Sequence, residues 1–304
     1  MALPQTPGLE VYEAGDDLAV TVTGQTPLTI FWWRFRKNKP AILGAGIVFL
    51  MVFCAVCAQW ISPYNPAAVD VNHISALPTG AHPFGTDELG RDVLSRLIYG
   101  ARISTGAAIL PVLLALIIGI PLGLIAGYFR GFWDEWIITR VVDALQAFPF
   151  LILALALAAV MGSGFFNAMI AIGIGFIPGF LRIVRGQVLT VSTEEYIQSA
   201  KALGVGDFRI LRVHILPNSM APVLVQTSVA MAAGILAEAG LSFLGVGVAP
   251  PTPSWGEMLT TAQTQILTNQ WLAVPPGVAI FLAVLGFNLL GDGLRDALDP
   301  RLRL

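Results

Sequence analysis

Charge is scarce in this chain of 304 residues: only 12% are Asp, Glu, Lys or Arg. A soluble domain of this length would carry about twice that share. Cysteine is scarcer still. The only two, Cys54 and Cys57, form a C-x-x-C inside an uncharged apolar run. With no second C-x-x-C and no His beside it, nothing completes a tetrahedral zinc site or supports a redox role. Two small apolar thiols facing helix or lipid is the better account. The three histidines, His73, His82 and His214, are scattered along the chain and suggest no metal cluster. Enzyme signatures are missing as well. No G-x-x-x-x-G-K-[S/T], H-E-x-x-H or G-x-S-x-G occurs, so no P-loop binds ATP on this chain. The chain reads as no enzyme, and an ATP-driven step would belong to a separate polypeptide.

Apolar length is abundant instead. Hydrophobic residues make up 56% of the chain. Residues 40–60, 103–129, 144–181, 213–237 and 258–291 carry no Asp, Glu, Lys or Arg. A bilayer is spanned by about 20 apolar helical residues. Gly162, Ser163 and Gly164 divide the third run into two spans, and the last run holds a span over about 271–290. The expectation is an all-α polytopic membrane protein with six transmembrane helices. The first apolar run begins too late and is too long for a signal peptide. With the N-terminus placed inside, every Lys and Arg falls inside except Arg91, Arg96 and Arg102. The basic-residue rule therefore puts both termini in the cytoplasm. Residues 1–30 form a polar, acidic arm. Phe31, Trp32, Trp33, Arg34, Phe35, Arg36 and Lys37 form an aromatic–basic band suited to the headgroup layer.

Between the fourth and fifth spans lies a polar segment, 193–217, reading TEEYIQSAKALGVGDFRILRVHILP. Ser192 and Glu195 fit a capping box. Tyr196, Ile197, Ala200, Leu203 and Gly204 fall on one helical face. Gly204 and Gly206 then stop the helix and allow a left-handed turn. Asp207 is expected to cap a second short helix through Arg212, with Pro217 opening the fifth span. Outside, a helix is expected from Thr86, with Leu89, Val93, Leu97 and Ala101 on one stripe and Asp92, Arg96 and Arg102 on other faces. Residues 240–270 are rich in Gly and Pro, so they cannot form one helix. Irregular backbone at that depth must be buried in protein or line a cavity. This makes the segment either the outer mouth of a pathway or a folded cap. Among charges near the spans, Asp143 is expected to pair locally with Arg140. Glu238 faces a pathway, pairs across a subunit interface or snorkels to water.

The polar segment resembles the cytoplasmic EAA loop of ABC importer permeases: Glu-Ala-Ala, three residues, Gly, nine residues, then Ile-x-Leu-Pro. Here Gln198, Ser199 and Ala200 stand at the first three positions, then Gly204, His214, Leu216 and Pro217. A His before Ile-Leu-Pro-Asn is similar to the peptide/nickel branch. The run from His82 to Asp92 resembles the C-type permease subunit of dipeptide and oligopeptide importers, and so does 240–270. The resemblance covers nearly the whole chain after the aromatic–basic band.

The resemblance implies a type I importer permease fold in three parts. These are the arm 1–30, the first transmembrane helix with an external amphipathic segment at 31–102, and a core permease domain at 103–304 that carries the coupling loop 192–217. It implies an inner-membrane subunit of an ATP-driven importer of di- and oligopeptides. The residues engaging the ATPase would be Glu195, Tyr196, Gln198, Ser199, Ala200, Leu203, Gly204, His214, Leu216 and Pro217. Glu238, Ser242 and Phe243 are candidates for the translocation path. Implied partners are a homologous B-type permease, two ABC ATPase subunits, an extracytoplasmic peptide-binding protein and the lipid bilayer, with no nucleic acid. No cofactor is expected on this chain; ATP and Mg would sit on the ATPases. Importers of nickel or another small solute use the same scaffold. An ion-coupled secondary transporter is a rival class, but it would want ionisable residues at mid-membrane, where these spans have almost none.

Overall fold

The computed structural model describes residues 27–298. Nearly all of the N-terminal arm, and Arg301 and Arg303, lie outside the described residues. Those described form eleven α-helices and no strand; one isolated bridge joins Thr86 to Asp92. The aromatic–basic band lies in α1 (Pro27–Lys37), where Arg36 covers the Trp32 ring and Lys37 the Trp33 ring. After α1, Asn38 opens α2 (Lys39–Ile61) by accepting from the Ala41 amide at 3.1 Å. The second span, α3 (Val93–Tyr128), runs 36 residues, about 54 Å at the α-helical rise.

The third span differs from expectation. A π-helical turn (Trp133–Ile138) and α4 (Thr139–Gln146) meet α5 (Phe150–Met161) at 96°. Pro149 is the cause. It has no amide hydrogen to donate, and it disfavours the helical conformation at Phe148. The twelve residues of α5 reach about 18 Å, short of a bilayer core. Five helices are long enough to cross alone, and the bent pair makes a sixth span if counted as one. The expected break after α5 is present, with Gly162 and Gly164 at positive φ, and α6 (Phe165–Val191) follows.

Beyond α6 the chain forms α7 (Glu195–Ala202) and α8 (Asp207–Arg209). Here too the expectation is corrected. No separate helix ends at Arg212. From Asp207 the chain runs unbroken through a π-helical turn (Ile210–Ile215) into α9 (Leu216–Phe243). Pro217 lacks an amide hydrogen and its ring crowds the carbonyl one turn back. A wider turn absorbs both without breaking the helix. The remaining elements are α10 (Trp255–Thr264), a 3-10 turn (Gln270–Ala273) and α11 (Val274–Leu298).

In lipid, helices gain little from burying apolar surface, so close backbone approach matters more. The α3–α6 pair, the most extensive in the molecule, shows how this is achieved. A Cβ on Gly119 would lie 3.0 Å from the Phe180 Cβ, on Gly123 2.7 Å from the Val184 Cβ, and on Gly127 2.6 Å from the Val188 Cβ. Three turns of α3 thus present bare backbone to α6. Gly234 of α9 meets the Ala107 carbonyl of α3 in the same way, and Gly286 and Gly293 of α11 receive Ile47 and Ala41 of α2.

The end of the bundle opposite α7 is closed by a polar cap. The helix expected from Thr86 begins only at Val93. Residues 86–92 form a tight turn instead, with Gly85 and Gly90 both at φ +77. Asp92 is the N-cap of α3, its Oδ2 accepting from the Ser95 amide at 2.7 Å. Arg96, expected on a face other than the apolar stripe, is 2% exposed. Its Nη2 donates to Glu257 Oε2 at 2.6 Å, and its Nε lies 3.4 Å from Asp87 Oδ2, which also accepts from Arg91 Nε at 2.6 Å. Trp255 Nε1 donates to the Leu97 carbonyl at 2.9 Å. The loop, α3 and α10 are therefore joined through one buried charge network. Beside it, hydrogen bonds from His73 and from the Asn72 amide hold the Asp70 carboxyl below its ordinary range.

Two outcomes are expected. Gly123→Leu should destabilise the isolated chain in detergent by about 1–3 kcal/mol through overpacking. Gly46→Leu, where nothing lies within 4 Å, should be neutral. Equal thermal unfolding of both variants would remove the close-packing account of α3 and α6. Arg96→Ala strips Glu257 of its buried partner and should cost about 3–5 kcal/mol. Urea unfolding followed by tryptophan fluorescence measures it, and a loss below 1 kcal/mol would mean the network is not buried as described.

Candidate functional site

Helix α7 projects from the bundle on two short connections. The anticipated capping box does not form. Ser192 is the C-cap of α6, with helical backbone angles and its amide bonded to the Val188 carbonyl at 2.9 Å. It therefore cannot take the extended backbone of an N-cap, and its Oγ is buried without a partner. Glu194 precedes the helix, and Glu195 sits exposed in its first turn, where a carboxylate favours the positive helix end. Gln198 braces the connection by donating from Nε2 to the Ser192 carbonyl at 2.7 Å.

The C-terminal end matches expectation. Gly204 has φ +76. The Val205 amide donates to the Ala200 carbonyl at 3.1 Å and the Gly204 amide to the Lys201 carbonyl at 2.9 Å, the paired bonds of a Schellman motif. A side chain at Gly204 would meet no atom within 4 Å. Backbone angle, and not crowding within the chain, is what restricts this position.

One residue of α7 is driven into the bundle. Ile197 is buried with Ile210 and Ile215 against Val184, Val188 and Val191 of α6. Polar contacts fix the rest. Asn218 Nδ2 donates to the Tyr196 hydroxyl at 3.2 Å and to the His214 carbonyl at 2.7 Å, and the Tyr196 and His214 rings meet edge-on. Tyr128, the last residue of α3, donates from its hydroxyl to Asp207 Oδ1 at 2.6 Å, and Lys201 lies over its ring. Asp207 thus receives a bond from α3 and caps no helix of its own. Ala200 and Leu216 are half-buried; Ser199 and Pro217 are exposed. Leu203 is 84% exposed and Phe208 75%, with Val213 also exposed. All ten expected loop residues therefore gather at one end of the bundle. Their outward face includes large apolar side chains that no described residue covers.

Two ion pairs flank this end. Arg185 donates to both oxygens of Asp134, at 2.8 and 2.6 Å. Asp143 pairs with Arg182 of α6 at 2.6 Å, not with Arg140, which lies over the Trp136 ring. The bend before α5 aims Asp143 at α6, which local spacing could not show.

The three path candidates divide. Glu238 is 1% exposed, and its Oε1 accepts from Ser242 Oγ at 2.8 Å. Ser242 is buried under Gly247, while Phe243 is partly exposed. Over Glu238, α10 packs so closely that a Cβ on Gly256 would lie 2.6 Å from the Ala239 Cα. Residues 244–264 accordingly form a folded cap. A concave groove of about 170 Å³ opens elsewhere, lined by Gln146, Gly175, Phe176, Gly179, Gln226 and Ala233. Its two amides were not singled out in the sequence. Their signal was there: uncharged polar side chains inside apolar runs.

This arrangement, an all-α bundle of apolar spans with a short helix projecting between α6 and α9, defines a polytopic membrane permease of the type I importer fold. A solved inward-facing structure of the MetNI methionine ABC transporter shares the fold, with TM-score 0.56 and 18% identity over 68% of this chain and 98% of that one. Residues 119–304 match the family described as binding-protein-dependent transport system inner membrane component. Residues 26–78 match the N-terminal transmembrane domain of oligopeptide transport permease C. The glutathione transport system permease protein GsiD of Pectobacterium atrosepticum is 45% identical over 280 residues, 92% of this chain and 93% of that protein. GsiD of Shigella boydii is likewise 45% identical, covering 92% of each. The chain belongs to the binding-protein-dependent family of ABC importer permeases, multi-pass proteins of the inner membrane.

Proposed function

We propose that this chain is one half of the pore of an ATP-driven importer of di- and oligopeptides. Its α7 is the lever on which separate ATPase subunits act. The observation that carries the reading is the exposed apolar surface of Leu203, Phe208 and Val213, on the segment that follows α7, beside a helix locked to α6 by Ile197. Such a patch on an otherwise polar connection fits a protein partner. A push on α7 reaches α6 through Ile197 and reaches α3 through Lys201, which lies over the Tyr128 ring. ATP and Mg belong on the ATPases. A homologous B-type permease completes the pore and a peptide-binding protein delivers substrate. The relatives named for glutathione, itself a small peptide, support that substrate class. The groove between Gln146 and Gln226 supplies amide donors and acceptors suited to a peptide backbone, and is the better candidate for the path than buried Glu238.

In this reading α7 and both termini face the cytoplasm and the polar cap faces outward. The basic residues support that orientation. Reporter fusions at Ala76 and Thr264 should read outside, and fusions at Val205 and at the C-terminus inside. A Val205 fusion that reads outside inverts the proposal.

The lever is tested in reconstituted vesicles that hold the partner permease, both ATPases and loaded binding protein. Forcing a β-branched residue to φ +76 costs about 1–2 kcal/mol. Gly204→Val should lower uptake about tenfold while the spans stay folded. Ala200→Asp places a charge at the contact and should reduce the amount of ATPase that co-purifies. Full assembly and unmodified uptake in both variants would show that α7 is no lever.

A further inference from the structure

The cap holds a cluster that neither the fold nor the transport reading uses. Asp70 and His73, three residues apart, and His82, nine further on, offer ligand atoms that all lie within 4.8 Å of one another. Each imidazole already has a carboxylate partner. His82 Nδ1 lies 2.9 Å from Oδ1 of Asp92, a buried residue, and His73 Nδ1 lies 2.8 Å from Asp70 Oδ2. A carboxylate can only accept, so His82 donates its Nδ1–H to Asp92 and keeps a lone pair on Nε2, while the exposed His73–Asp70 bond is one that an ion between the two would replace. An imidazole oriented by a carboxylate, as Asp92 orients His82, recurs around metal ions, where the partner fixes the ring and raises its basicity.

The backbone holds the cluster in register. The His73 amide donates to the Asp70 carbonyl at 3.2 Å, and the Thr86 hydroxyl donates to the His73 carbonyl. Gly90 lies so close that a Cβ there would clash with the backbone of Asp70. The Tyr64 ring packs on His82 at 4.9 Å, and the Tyr64 hydroxyl donates to the Ala81 carbonyl at 3.0 Å. A surface His–Asp pair accounts for His73 and Asp70 alone. It does not account for a second imidazole, already satisfied by Asp92, with its ring 5.9 Å from the first.

We propose that Asp70, His73 and His82 bind one divalent first-row transition metal ion of the Zn2+, Co2+ and Ni2+ class. Imidazole selects these ions over Mg2+ and Ca2+, which take oxygen ligands. Ligands at about 2.0–2.1 Å from a tetrahedral ion stand about 3.3 Å apart. A cluster within 4.8 Å closes to that spacing by side-chain rotation, and the freedom lies with His73 and Asp70, 56% and 41% exposed against 12% for His82. Three protein ligands leave at least one position open to water. The ion ties the turn at 70–73 to the segment 82–92 that feeds α3. The site is independent of the transport reading and binds no substrate in it.

The full chain, purified without a polyhistidine tag, is titrated with Co2+ and then Zn2+. A visible d–d absorption band saturating at one Co2+ per chain, and displaced by Zn2+, is expected. His73→Ala should weaken binding at least about tenfold, as should His82→Gln, which keeps a donor for Asp92 but removes the ligand. His73 is exposed, so its variant folds and decides the matter even if the His82 variant does not. Cys54→Ser with Cys57→Ser, which removes the other soft ligands, should leave binding unchanged. The site is refuted by no saturable binding below millimolar Co2+, by unmodified affinity in His73→Ala, or by loss of binding in the double Cys variant.

Discussion

Contact between α3 and α6 over the bare backbone of Gly119, Gly123 and Gly127 is the constraint on which the rest of the bundle depends. Without water to expel, two apolar helices in lipid are held by packing. Packing is closest where no side chain intervenes. The consequence reaches beyond stability. Helix α6 passes directly into the connection to α7, and α3 ends at Tyr128, whose hydroxyl bonds Asp207 at the start of the fifth span. Both sides of the loop are thus tied to one rigid pair. A displacement of α7 has few ways to dissipate before it reaches the spans.

The cap end is held by different physics. Arg91 and Arg96 are buried against Asp87 and Glu257, a costly arrangement kept in place because removing one member leaves the others unpaired. It also bears on the count of basic residues behind the expected orientation. The rule concerns cations near the span ends that are left to choose a side. Of the three exceptions, Arg91 and Arg96 are neutralised inside the protein. Arg102 donates from Nε to the Ala55 carbonyl at 2.7 Å and covers the Tyr99 ring.

Span count, helical class and the left-handed Gly204 were legible in the sequence because each follows from composition or from one residue's backbone limits. What was not legible depended on neighbours. Pro149 announces a break, but its 96° bend turns Asp143 from Arg140 toward Arg182. Ser192 and Glu195 have capping-box spacing, yet α6 extends far enough to claim Ser192 for its own last turn. The stripe through Leu89 is periodic, but Gly90 takes φ +77 against the backbone of Asp70, a backbone angle outside the right-handed helix. His73 and His82 look scattered until the irregular loop between them folds back. Of the candidate site, the loop residues were identifiable from spacing, while their anchors Ile197, Tyr128 and Asp207 acquired their roles only from packing.

Glu238 illustrates why an ionisable residue in a span is an ambiguous sign of a pathway. Its rarity in lipid argues for function. Its surroundings argue for enclosure: Ser242 on one oxygen, α10 drawn down over Ala239, and Gly234 one turn away pressed on α3. A group that lines an aqueous route must be reachable when the route opens, and reaching Glu238 means lifting α10 off a contact made through glycine. Gln226 meets that requirement at far lower cost. It lies partly exposed on a groove whose opposite wall is Gly175 and Gly179, where no side chain has to move. An amide also leaves no charge stranded in lipid when the groove is closed. For the passage proposed above, which would alternate between wet and dry, a neutral polar lining is the less expensive choice, and Gln146 of α4 and Gln226 of α9 supply one across the glycines of α6.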